Sequence, residues 1–144
     1  MITRTITYTD FNDEERTETL YFNLTQRELA RLENSHKGGL TEWIRRAVEA
    51  KDGKTIMDVF EEIIHAAYGV KSPDGKTFIK TEELYQEFIG TNAYDKLFME
   101  LVTDADKASE FIIGCMPKDL QLEARKKAKE LESNGGNITA VSKE

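Results

Sequence analysis

The hydrophobic period of this chain changes once, near residue 25, and that change limits the fold more than any single motif does. Residues 2–9 read Ile-Thr-Arg-Thr-Ile-Thr-Tyr-Thr, with Ile2, Arg4, Ile6 and Tyr8 on one side and threonine at every odd position. A period of two with β-branched residues predicts a strand. Residues 17–24 alternate again, placing Leu20, Phe22 and Leu24 on one face. Between them, Asp10-Phe11-Asn12-Asp13-Glu14-Glu15 reads as a polar turn. The prediction is a β-hairpin with one buried face, and a lone hairpin is marginal in water unless it covers a core.

From residue 25 the spacing is helical. Thr25 and Glu28 have the capping-box spacing, which starts a helix near residue 26 with Leu29 and Leu32 facing inward. Gly38-Gly39 ends it, and Thr41 is expected to cap the next, where Leu40, Trp43, Ile44, Ala47 and Val48 recur at helical spacing. Asp52-Gly53 is expected to break that helix. Ile56, Val59, Phe60, Ile63, Ile64 and Ala67 then give the cleanest helical pattern in the chain, with Gly69 expected at its C-terminal cap. Pro73-Asp74-Gly75 predicts a tight turn whose flanks pair as a short hairpin. Thr81, Thr91 and Thr103 are expected to cap three further helices. The last of these runs to about Met116, has Asp104 and Asp106 at its positive end and is closed by Pro117.

The fold class that follows is mainly α: a compact multi-helix domain with an N-terminal β-hairpin and a short hairpin or turn near residues 70–80. Three parts are expected: a helical domain over 1–117, a charged helix over 118–132 and a flexible tail over 133–144. The charge supports this division. Residues 1–117 carry 14 basic and 22 acidic side chains, while residues 118–144 carry 6 and 5. The 118–132 helix has only a thin stripe of Leu120, Ala124, Ala128 and Leu131, and the tail holds Gly135-Gly136 without periodicity.

Function classes narrow by exclusion. A net charge of −7 is a poor match to nucleic acid or an anionic membrane. The one basic cluster, Arg125, Lys126, Lys127 and Lys129, is interleaved with acids and has no aromatics for base stacking. No apolar run approaches the ~20 residues of a membrane span, and the N-terminus shows no signal-peptide core, so a soluble cytoplasmic protein is expected. The loop around Gly75 fails the calcium-loop test, since its first and last ligand positions would be Val70 and Thr81. Glu62 and His65 have metal-ligand spacing, but no second such motif accompanies them, and a solvated helix face explains them better. His36 lies in a polar loop with no nucleophile beside it. Cys115 sits on an apolar face, where cysteine acts as a small hydrophobe. No catalytic residue, cofactor site or metal site is expected, so binding is favoured over catalysis.

Several segments, taken in order, carry a family likeness. They are Tyr21-Phe22-Asn23-Leu24-Thr25, the Gly38-Gly39-Leu40 break, Ala67-Tyr68-Gly69-Val70 through Lys80, Ala93-Tyr94-Asp95 through Leu101, Thr103-Asp104-Ala105-Asp106 and Phe111-Ile112-Ile113-Gly114. From about residue 2 to 120 this series resembles the tail assembly chaperones of long-tailed bacteriophages and prophages of Gram-positive hosts. The resemblance implies a non-enzymatic protein of the host cytoplasm that binds the tape measure protein, keeps it soluble and is absent from the finished virion. It also implies a possible second partner, the tail tube protein, reached through a longer product made by ribosomal frameshifting.

For a client surface the candidates are Met99, Ile113 and Met116, which fall off the main buried stripes, together with Leu120 and Leu131. The competing view of them is ordinary core, because the helix near 104–116 is apolar nearly all round. An exposed edge strand of the hairpin offers a route to a homo-oligomer. Two other functions compete. A structural virion subunit, such as a tail completion or connector protein, would persist in the particle. A small DNA-binding regulator would use Arg45-Arg46, against the overall acidity and the neighbouring Glu42 and Glu49.

Overall fold

The computed structural model describes residues 1–50, 53–126 and 129, with the side chains of residues 41, 44 and 47–50 excepted. Asp52, Ala128, Leu131, the 133–144 tail and the side chains of Ile44, Ala47 and Val48 lie outside that description. The hairpin forms as β1 (Ile2–Thr9) and β2 (Glu15–Phe22), paired antiparallel from Ile2↔Phe22 to Thr9↔Glu15. The alternation predicts its faces. Ile6, Tyr8, Leu20 and Phe22 are buried, while the threonines point to solvent and meet in cross-strand pairs, Thr7 with Thr17 at 2.9 Å and Thr5 with Thr19 at 3.3 Å.

Helices α1 (Gln26–Ser35), α2 (Gly39–Ala50) and α3 (Gly53–Ala67) follow. Thr25 and Glu28 form the expected reciprocal capping box of α1. Thr41, expected as a cap, lies instead inside the first turn of α2, because Gly38 and Gly39 both take φ +85° and finish the turn before it. α3 buries Val59, Phe60, Ile63, Ile64 and Ala67, as its pattern predicts.

Beyond α3 the structure corrects one expectation. Gly69 does not cap a helix; it lies in strand β3 (Tyr68–Lys71), which pairs with both β2 and the short β4 (Phe78–Ile79). The two expected hairpins therefore join into one antiparallel sheet of order β1-β2-β3-β4. A Cβ at Gly69 would come within 2.6 Å of the Phe78 ring and 2.9 Å of the Ile79 carbonyl, so this crossing needs glycine. Gly75, at φ +73°, makes the turn between β3 and β4.

The remaining helices are α4 (Glu82–Ile89), α5 (Asn92–Thr103) and α6 (Ala105–Cys115). Thr81 and Thr91 cap the first two as expected. Asp104, not Thr103, caps α6, accepting from the N–H groups of Asp106 and Lys107 at 3.1 Å, while Thr103 closes α5. Residues 118–126 are helical as well.

Phe22 is the junction of the layers. It is fully buried and touches the rings of Tyr68, Phe88 and Phe111 at centroid distances of 5.8, 6.0 and 5.0 Å. Sheet, α4 and α6 thus share one aromatic core. Arg4 reaches from β1 to both carboxylate oxygens of Glu100 on α5 at 2.7 Å. The free edge of β1 is partly covered, since Lys96 donates to the Thr7 carbonyl at 2.6 Å and Asn92 to that of Thr9 at 2.9 Å. No helix among the described residues is long and apolar enough to cross a membrane.

Candidate functional site

The groups that sequence spacing brings up for chemistry are occupied with one another in structural roles. Glu62 turns away from His65 and bonds His36 at 3.0 Å, and the His36 imidazole stacks on Trp43 at 3.8 Å. His65 bonds Glu82 at 2.8 Å and stacks on Tyr85, also at 3.8 Å. Each imidazole therefore staples two elements, the α1–α2 loop to α3 in one case and α3 to α4 in the other. Partners so far apart in sequence leave no local signal. Cys115 is fully buried, and burial pushes its thiol up to about 12, which holds it in the unreactive protonated form. Burial also raises the phenol of Tyr94, beside Tyr85. Arg45 pairs with Glu42, and Arg46 reaches the Lys37 carbonyl, so both arginines brace α2 and its entry loop. Among the described residues no group of three or more His, Cys, Asp or Glu could hold a metal ion.

An open groove of about 450 Å³ lies where the end of β1 meets the start of α5. Its lining includes Asn92 and Lys96, which already donate to the strand carbonyls of Thr9 and Thr7. Those two polar side chains serve the strand edge.

What the surface offers is apolar side chains. The structure treats the five predicted contact residues differently. Met99 is 48% exposed on the outer side of α5. Ile113 is buried. Met116 and Leu120 are half-buried against the core, and Leu131 lies outside the described residues. Met99 sits one turn before the α5–α6 junction and Met116 follows the far end of α6. α6, with 11 residues, spans roughly 16 Å between that junction and Met116.

Leu122, which the stripe reading passed over, is 65% exposed. The backbone beneath it is fixed by short-range geometry. Pro117 cannot continue α6, and its carbonyl accepts from the N–H groups of Leu120 and Gln121 at 3.0 and 3.1 Å, starting a new helical run. Gln121 Nε2 donates to the Met116 carbonyl at 3.0 Å, tying that run to the end of α6. Cys115, one residue earlier, accepts from Leu24 N–H at 2.7 Å. The signal for Leu122 was available: it stands off the Leu120–Ala124 stripe among charged residues.

The profile of the phage tail assembly chaperone family matches residues 1–143. The match continues through the segment after residue 120, where the resemblance read from the sequence stopped. No curated protein and no solved structure matches the chain.

Proposed function

This chain belongs to the phage tail assembly chaperone family, and from that premise we propose that it binds the tape measure protein and keeps it soluble until the tail tube forms around it. The observation that carries the proposal is the family match over nearly the whole chain. The surface suits the task. A long helical client exposes apolar stripes that self-associate, and a chaperone must cover them while staying soluble itself. Met99 and Leu122 offer apolar contact from two separate helices, and methionine adapts to varied partners. A net charge of −7 opposes self-association of the free chaperone. In this reading the protein works in the cytoplasm of the infected cell, catalyses no reaction and leaves before the virion is complete.

Co-expression with the tape measure protein of the same genome tests the proposal. The client is expected in the pellet when expressed alone and in the supernatant, co-eluting, when this chain is present. A client that stays insoluble, or is soluble without help, would refute it.

A further inference from the structure

The tip of the β1–β2 hairpin carries the most exposed large apolar side chain among the described residues. Phe11 is 78% exposed, yet the backbone that bears it is tightly bound. Asp10 Oδ1 accepts from the N–H groups of Asn12 and Glu14 at 2.8 and 3.0 Å, and Asp10 Oδ2 accepts from Arg16 Nε at 2.7 Å. Backbone bonds from Asp10 N–H to the Glu14 carbonyl (2.8 Å) and from Asp13 N–H to the Asp10 carbonyl (3.0 Å) close the turn. Asp13 takes φ +61°, a conformation that aspartate tolerates better than most residues. The loop thus holds an aromatic ring out in water on a fixed backbone. Interface anchors combine a large aromatic side chain with a backbone that loses little freedom on binding.

The surroundings of the ring define its partner. Asp13, Glu14 and Glu15 are exposed beside it, and the nearby cation, Arg16, is held by Asp10. On the strands behind the tip Thr5, Thr7, Thr17 and Thr19 face solvent, and the exposed Arg16 is paired with Asp10. The rim around Phe11 is therefore acidic, which matches a basic rim on the partner.

We propose that Phe11 is an aromatic anchor that inserts into an apolar cleft of the client ringed by lysine and arginine side chains, with Asp13, Glu14 and Glu15 meeting those cations. This rests on the client being the tape measure protein, and the test separates the two claims. The chain is co-expressed with that protein as wild type, as Phe11→Ser, as Phe11→Trp and as the triple variant Asp13→Asn, Glu14→Gln, Glu15→Gln. Circular dichroism of each purified variant checks the fold. Phe11→Ser is expected to lower soluble client by about tenfold or more, Phe11→Trp to retain it, and the triple variant to lower it severalfold although Phe11 and the Asp10 bonds remain. A folded Phe11→Ser variant that carries client like the wild type overturns the anchor while the chaperone reading stands. If Phe11→Ser does not fold, the triple variant decides, and undiminished client there overturns the proposal. A client that stays insoluble with the wild type removes the chaperone reading, and the anchor with it.

Discussion

Lys80 and Glu28 meet where the sheet, α1 and α3 converge. The Lys80 ammonium lies 2.8 Å from both carboxylate oxygens of Glu28 and also donates to the carbonyls of Asn23 at 2.6 Å and Ala66 at 2.7 Å. Glu28 in turn accepts from the Thr25 N–H at 2.9 Å as part of the α1 capping box. One partly buried ion pair therefore joins the strand–helix link, the start of α1 and the end of α3.

Replacing Lys80 by Met keeps the stem and removes the donor. The carbonyls of Asn23 and Ala66 and the Glu28 carboxylate then lose a partner in a partly buried site. We expect a loss of about 1–3 kcal/mol in urea unfolding. A change within about 0.5 kcal/mol, typical of a surface substitution, would show that the pair is incidental.

Glu28 and Glu100 are the two partly buried carboxyls among those that tie stability to pH. Burial pushes Glu28 up, but bonds from Lys80 and from Thr25 outweigh it, leaving its pKa below the ordinary value. Glu100 behaves alike, with burial opposed and outweighed by Arg4 and Lys107. A depressed folded pKa means that the unfolded chain takes up protons first as pH falls. The stabilisation is complete above the unfolded value of about 4.3 and is lost as pH drops through the lower folded values. The urea midpoint should hold between about pH 7 and 5.5 and decline below about pH 4.5, with a shallower decline in Lys80→Met. An identical decline in that variant would show that Glu28 does not contribute to the pH dependence.

Gly69→Ala is expected to destabilise by about 1–3 kcal/mol through overpacking. The new methyl would meet the Phe78 ring and the Ile79 carbonyl, and the latter is backbone with little room to yield. Thermal unfolding of the variant measures this, and an unchanged midpoint would mean that β4 shifts freely.

These sites also mark what the sequence could and could not tell. The Thr25–Glu28 box, the Thr81 and Thr91 caps and the α3 stripe were legible because each is decided within one or two turns of chain. Gly69 was misread because its strand partner, Tyr21, is far away in sequence and the Phe78 ring that crowds it lies across a turn. Thr103 and Asp104 are both good caps, and only geometry chooses between neighbours. The joining of two hairpins into one sheet depends on Phe22 pairing with Tyr68, a contact with no local trace. The exposure of Met99 was legible because it breaks its helix stripe. Ile113 could not be placed, since α6 is apolar nearly all round and periodicity is then silent. Phe11 was hidden in a turn that read simply as polar.

The contact residues separate by substitution to Glu. At Met99 and Leu122 we expect stability within about 0.5 kcal/mol of wild type, because both are exposed. At Ile113, which is buried, the unpaired charge should unfold the domain or cost more than about 3 kcal/mol. Loss of soluble tape measure protein with a folded Met99→Glu, Leu122→Glu double variant would place these side chains in the client surface. Full retention would exclude them.

The proposed role has this chain serve assembly and then depart. Quantitative mass spectrometry of tail-assembly intermediates and of purified virions from one infected culture tests it most directly. The chain is expected to co-purify with the tape measure protein before the tube closes and to be missing from finished particles. A fixed number of copies in every virion would contradict it and make the protein a structural subunit of the tail.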